Sequence, residues 1–261
     1  MIKQPLISVL TPTYNRGKTF LADTIASVAR QREDGFLHEH IIIDNASTDN
    51  TRQVVAKLAK KDPRIKYIYS KKNLKAAGAL NIGFPKSKGS FIYPLDDDDL
   101  LLPRSLQTGF DYFKTHPKIE WIYALALHCD ADNKIRFDYW PTYSYATAKQ
   151  MFQAQLNGNI PHSGTVMIRR QAIDKVKGWD PVPAAQDYSM WLKLAHAGLQ
   201  QALLLEYLVM YRIHANRESS RNNDNGLWAD VRREILKKYH TDEATIKKQL
   251  AKLPPAKPIY Y

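Results

Sequence analysis

Cysteine is almost missing. Cys129 is the single one in 261 residues, which excludes an intramolecular disulfide framework and any zinc or iron–sulfur site built from several thiolates, and fits a reducing compartment. Long apolar runs are missing too: Trp121 to Leu127 has only a buried strand's length, far below the ~18 residues of a membrane-spanning helix. Met1 to Pro5 leads straight into a strand-like segment, without the apolar stretch and small-residue cleavage site of a secretory signal, so the expected location is the cytoplasm. Acids are scarce beside bases, 26 against 38, and the resulting net charge of +12 favours phosphate-bearing ligands, anionic lipid surfaces or nucleic acid as partners. The remaining composition, 44% hydrophobic and 25% charged, is that of a compact protein of one or two domains and argues against disorder or coiled coil.

What is present alternates. Leu6 to Leu10 is a short apolar run ended by Thr11-Pro12, after which Leu21, Ile25 and Val28 recur at helical spacing. His40 to Ile43 predicts a second strand, followed by the polar Asp44 to Asp49 and a helix carrying Val54, Val55 and Leu58. Ile65 to Tyr69 predicts a third strand, Ala76 to Ile82 a helix, and Phe91 to Leu95 a fourth strand that stops in Asp96-Asp97-Asp98-Asp99. Such alternation implies an α/β fold with right-handed crossovers and a mostly parallel sheet covered by helices on both faces. Ligands of these sheets sit beyond the carboxyl ends of the strands, where the polar clusters fall. Past residue 115 the pattern loosens into a mixed half, with strands expected at Trp121 to Leu127 and Val166 to Ile168 and a helix at Tyr188 to Ala197. Asn216 to Gly226 reads as a flexible loop, and Leu227 to Leu253 as a basic helical stretch.

Four consecutive aspartates at a strand end repel one another unless a cation or hydrogen-bond donors intervene. A hard divalent metal, Mg²⁺ or Mn²⁺, suits such oxygen ligands and leaves positions for water and phosphate oxygens. The competing reading is a solvated acidic turn with a helix cap before Leu100.

Taken in order, several segments resemble one family. They are Ser8 to Arg16, Ile43 to Asp49, Asn73 to Gly83, Gly89 to Asp99 with Pro103, Gln186-Asp187-Tyr188 with Trp191, and Tyr211-Arg212-Ile213-His214 with Asn216. The set is similar to the inverting nucleotide-sugar glycosyltransferases of family 2. That resemblance implies a GT-A fold over 1–226, with a nucleotide-sugar-binding half at 1–115 and an acceptor half at 116–226, and a basic helical extension at 227–261. It implies a donor pocket walled by Thr11, Pro12 and Tyr14, the last stacking on the base. Asp44 and Asn45 stand where many relatives carry two acids, one of them reading the base edge; an Asx turn before the next helix is the other reading of these residues. Lys75 is expected at the base or diphosphate, or else as a solvated lysine. In the D-x-D motif, Asp96 is directed to the ribose and Asp98 to the metal, with Asp97 between them; Asp99 is either a supporting contact or a helix cap. His214 completes the metal or diphosphate site, with Arg212 and Arg217 as phosphate donors. Asp187 takes the proton from the attacking hydroxyl, or caps its helix; Gln186 replaces the first acid of the family's pair.

The partners so implied are a nucleoside-diphosphate sugar and a glycan or lipid-linked saccharide acceptor, in cell-surface polysaccharide or lipopolysaccharide synthesis. Trp179 and Trp191 are expected in the core. Arg232, Arg233, Lys237, Lys238, Lys247, Lys248, Lys252 and Lys257 read as a solvated helix face or as a peripheral dock on anionic lipid. Nucleic acid is not expected as a partner, since no zinc-finger spacing, RRM signature or basic-aromatic stripe appears. A metal-dependent nucleotidyltransferase ranks second, although no G-x-x-x-x-G-K-[ST] loop is present, and a catalytically silent nucleotide-sugar-binding relative third.

Overall fold

The fold is that of a computed structural model, which describes residues 6–136, 142–158, 161–215, 217 and 226–239. The first half is the expected alternation: β1 (Leu6–Thr13), α1 (Leu21–Ala29), β2 (Leu37–Asp44), α2 (Thr51–Ala59), β3 (Ile65–Tyr69), α3 (Lys75–Gly83) and β4 (Phe91–Pro94). β1 pairs in parallel with β2 and β4, and β2 with β3. Strands buried on both faces need apolar residues at successive positions. Accordingly Ile41 and Ile43 pack with Leu10 and α3 on one side of the sheet, while Ile42 packs with Leu21, Ile25 and Val55 on the other.

The second half adds β5 (Leu100–Leu101), α4 (Ser105–Thr115), β6 (Trp121–Cys129), α5 (Ala148–Asn157), β7 (Met167–Arg169), α6 (Arg170–Lys175), α7 (Gln186–His196), β8 (Gln201–Arg212) and α8 (Leu227–Lys237). The eight strands lie in the order β3-β2-β1-β4-β7-β6-β8-β5, with β7 antiparallel to both neighbours and β5 antiparallel to β8. Trp121 and Trp191 stack at 5.8 Å between sheet and α7, and Trp179 is also buried, so these aromatics belong to the core.

Three expectations change. Leu100 begins a strand rather than a helix, so the acidic turn caps no helix there. Tyr211 and Arg212, which the family resemblance puts with His214 in one late loop, end a twelve-residue strand. Arg232 is wholly buried, its Nη2 donating to the Leu156 carbonyl at 2.9 Å and its guanidinium near Tyr188 and Trp228, because α8 turns that face onto α5 and α7. It is therefore no part of a solvated or lipid-facing side, and Lys238 is paired with Asp180 at 3.1 Å. Asn216 and everything from residue 240, including Lys247, Lys248, Lys252 and Lys257, lie outside the described residues. Among the described residues no helix is long and apolar enough to cross a membrane.

His40 is buried beneath the site, 2.9 Å from Thr11 Oγ1. Burial, aided by His38, lowers its pKa to about 3 from 6.5. Between those values the unfolded chain binds the proton and the folded one does not, so stability falls as pH drops through that window. His40→Gln should flatten urea-unfolding stability against pH by about 1 kcal/mol per unit between about pH 4 and 6; a slope equal to wild type would contradict this.

Candidate active site

The chain leaves β4 through Leu95, whose N–H bonds the Leu10 carbonyl, turns at Asp96 to Asp99, and re-enters the sheet as β5. Because Leu100 pairs with Met210, this turn is set beside the end of β8. Each aspartate is held differently. Asp96 Oδ2 accepts the Ser163 hydroxyl at 2.6 Å. Asp97 lies 3.4 Å from Arg16 Nε, and its carbonyl accepts the Thr24 hydroxyl. Burial first, then the charge of Asp98, push the Asp97 carboxyl up to about 7, against the pull of Arg16. Asp98 Oδ2 meets His214 Nε2 at 2.9 Å and Arg16 Nη2 at 3.6 Å. Asp99 is wholly buried, accepts the Arg212 N–H at 3.0 Å, and is driven well above the usual carboxylate range by burial and by its acidic neighbours. The turn is thus an internal structure and not a solvated one.

The loop after β1 is stitched to the loop after β2. Asn15, in the left-handed region at φ 54°, accepts the N–H groups of Thr48 and Asp49 through Oδ1, and its own N–H bonds Ser47 Oγ at 2.8 Å. Gly17 lies so close to α2 that an added Cβ would fall 2.5 Å from the Thr51 nitrogen. Tyr14 stands exposed on this loop and Pro12 is half-buried, but Thr11 is wholly buried with its hydroxyl at His40. Thr11, expected in the wall of a donor pocket, therefore offers no side-chain surface at the strand end. Asp44 is spent internally: Oδ1 accepts the N–H of Ser47, three residues on, and Oδ2 the Tyr67 hydroxyl at 2.5 Å. Asn45 donates to Asn73 Oδ1 and to the Lys75 carbonyl while accepting the Leu74 N–H, so it clamps the start of α3, where Lys75 is exposed.

Asp187 lies in the first turn of α7, half-buried, with Oδ1 accepting the Tyr188 N–H at 2.7 Å. The residue before the helix, Ala185, is held at φ 55°, a conformation that costs an L-residue about 1–2 kcal/mol and clusters at functional sites. Asn81 on α3 grips the approach to this helix through both polar atoms of its amide, to the Trp179 N–H and carbonyl. His214 packs on Phe20 at 4.6 Å. Arg212, expected at the donor, is wholly buried: its guanidinium lies 4.2 Å from the Phe20 ring centre and bonds Asn133 Oδ1 at 2.7 Å. It is a strut between α1 and the loop after β6. Arg217 bonds the Tyr211 hydroxyl at 2.9 Å.

A model of glycosyl transferase family 2 matches residues 8–177, well over half of the chain. The chain belongs to glycosyl transferase family 2. TuaG of Bacillus subtilis, named as a glycosyltransferase of teichuronic acid biosynthesis, is 28% identical to this glycosyltransferase over 219 residues, 83% of this chain and 82% of that one. The structure of residues 1–349 of S. aureus TarS in complex with UDP-GlcNAc shares the fold at a TM-score of 0.70 and 17% identity, over 94% of this chain and 70% of that one. The mannosyltransferase PcManGT of Pyrobaculum calidifontis, in complex with GDP-Man and Mn²⁺, does so at 0.68 and 16% identity, over 96% and 69%.

The family implies a divalent cation. Among the described residues no three His, Cys, Asp or Glu side chains converge as a closed cage. Asp98 and His214 instead meet as one oxygen and one nitrogen donor beside crowded carboxylates, which fits an open site completed by water and phosphate oxygens. The sequence of this glycosyltransferase assigned Arg16 no role beyond its place in the first motif, placed Ser163 in the acceptor-side framework through His162-Ser163-Gly164, and did not single out Phe20. An acidic tetrad demands a nearby cation, and Arg16, in the neighbouring strand-end loop, was the legible candidate. Asn45 explains itself, because it donates twice where a carboxylate only accepts. Asn45→Asp should lower stability in urea unfolding by about 1–3 kcal/mol, since it leaves the Lys75 carbonyl and Asn73 Oδ1 facing an acceptor; unchanged stability would refute the clamp.

Proposed function

We propose that this glycosyltransferase moves a sugar, with inversion, from a nucleoside-diphosphate sugar to a hydroxyl of a glycan or lipid-linked saccharide, in the assembly of a cell-surface polysaccharide. The observation that carries the reading is the meeting of Asp98 with His214, 116 residues apart, at the carboxyl ends of the parallel strands. The nucleotide-sugar complexes of TarS and PcManGT on the same fold support the donor class, and the name of TuaG supports the acceptor class.

In this reading the nucleotide sugar lies across the ends of β1, β2 and β4, with Tyr14 against the base, Lys75 near the diphosphate and Asp96 toward the ribose. Residues 1–115 then form the donor half and 116–226 the acceptor half. Asp98 and His214 would hold Mn²⁺ or Mg²⁺, which when bound supplies positive charge to the leaving diphosphate. Asp187 takes the proton of the acceptor hydroxyl as that oxygen attacks the anomeric carbon from the side opposite the diphosphate. Its Oδ1 is fixed by the Tyr188 N–H, so the carboxylate is oriented before the acceptor arrives. The positive end of α7 favours a negative side chain there.

Asp187→Asn should lower turnover by about 10²–10⁴-fold while leaving donor affinity near that of wild type. Asp98→Ala should weaken metal-dependent donor binding as well. Both are read from nucleoside diphosphate release with a panel of nucleotide sugars and from calorimetry. Release of pyrophosphate in place of nucleoside diphosphate, or full turnover by Asp187→Asn, would overturn the assignment.

A further inference from the structure

Arg16 has no part in the mechanism above, yet it reaches the centre of the acidic turn. Its backbone is anchored on both sides: the N–H bonds Thr51 Oγ1 at 3.1 Å, and the carbonyl accepts the Thr19 N–H at 3.1 Å. The flanking residues are fixed as well, Asn15 by its bonds to Thr48 and Asp49 and Gly17 by its bond to Asp49 Oδ2 at 3.0 Å. The side chain therefore starts from a set point. From there Nε approaches Asp97 Oδ1 and Nη2 approaches Asp98 Oδ2, with the three side chains only 12–16% exposed, so their charges are weakly screened.

Asp98 Oδ2 is the oxygen that also meets His214. A divalent ion on that oxygen, at the roughly 2 Å of a Mg²⁺–oxygen bond, would stand beside a guanidinium of the same sign, and like charges at such range repel. Held against that same oxygen, the guanidinium and the ion oppose each other, so Asp98 binds either one less well in the presence of the other.

We infer that Arg16 competes with the divalent cation for Asp98 and so sets how tightly the chain takes up metal before the donor supplies its own negative charge. The inference rests on the reading that Asp98 and His214 hold the cation. It gives Arg16 a second consequence: a nucleoside diphosphate attracts both the ion and the guanidinium, so nucleotide should raise metal affinity more in wild type than in a variant lacking the charge.

The test is Mn²⁺ binding to the full chain, with MnCl₂ alone and then with saturating UDP or GDP, followed by the electron paramagnetic resonance of free Mn²⁺. Arg16→Gln should bind Mn²⁺ alone about tenfold more tightly than wild type, a factor equivalent to about 1.4 kcal/mol. Arg16→Lys, which keeps the charge, should stay within about twofold of wild type. Arg16→Met keeps the aliphatic stem and carries the same expectation as Arg16→Gln should the latter not fold. Adding Asp98→Asn to Arg16→Gln should abolish the gain. Equal Mn²⁺ affinity in wild type and Arg16→Gln, or a gain that survives Asp98→Asn, overturns the competition and leaves the metal site standing. Absence of Mn²⁺ binding in wild type and Arg16→Gln alike, with UDP and GDP as well as without, overturns the metal reading and this inference with it.

Discussion

Carboxylates in four successive positions repel one another, and the structure around the end of β4 is organised by that repulsion. Two of the four, Asp97 and Asp99, are buried enough that the proton is held far above its usual pKa, and Asp99 is anchored by the backbone of β8. The other two are tied to groups from distant parts of the chain: Asp96 to Ser163 in the turn before β7, Asp98 to His214 just past β8 and to Arg16 after β1. Holding four crowded carboxyl groups in a fixed arrangement thus recruits the ends of β1, β4 and β8 to one place. A group of fixed carboxylates with donors around them is a site that a cation and a diphosphate can complete.

Positioning of the remaining groups follows from the same economy of loops. The segments after β1 and β2 hold each other through Asn15, Ser47 and Asp49, and Asn45 carries the clamp on to α3. From α3, Asn81 reaches the Trp179 backbone, and the segment beyond it leads into α7 and Asp187. Side-chain to backbone bonds, joined by short stretches of chain, therefore link the first strand end to the segment that leads into the candidate base. Side chains held by packing and hydrogen bonds keep a reacting geometry that isolated surface groups would not.

The first half was legible because β1, β2 and β4 are largely buried and read as apolar runs that stop abruptly in polar clusters; β1 to β4 and their helices fall close to where the sequence places them. The turn of aspartates and His214 stood out through residue type and family pattern. β8 did not, because its pairing with β6 is broken by two register shifts and its buried positions, Gln201, Leu204, Leu208, Val209 and Arg212, do not alternate. Arg212 and Arg232 misled for a common reason. Arginine is normally solvated, and only the three-dimensional arrangement supplies Phe20 and Asn133 to one and Tyr188 and the Leu156 carbonyl to the other. Thr11 and Asp44 lie at the expected strand ends, but their polar atoms are used by His40, Ser47 and Tyr67, partners that no local pattern announces.

Asp98 and His214 are the two protein corners of the proposed cation and diphosphate site. Anomalous diffraction at the manganese edge, from crystals grown with Mn²⁺ and a nucleoside diphosphate, tests this most directly. A manganese peak in contact with Asp98 and His214, and bridged to phosphate oxygens, is the predicted result. A peak elsewhere, with nucleotide bound away from the turn of aspartates, would contradict it.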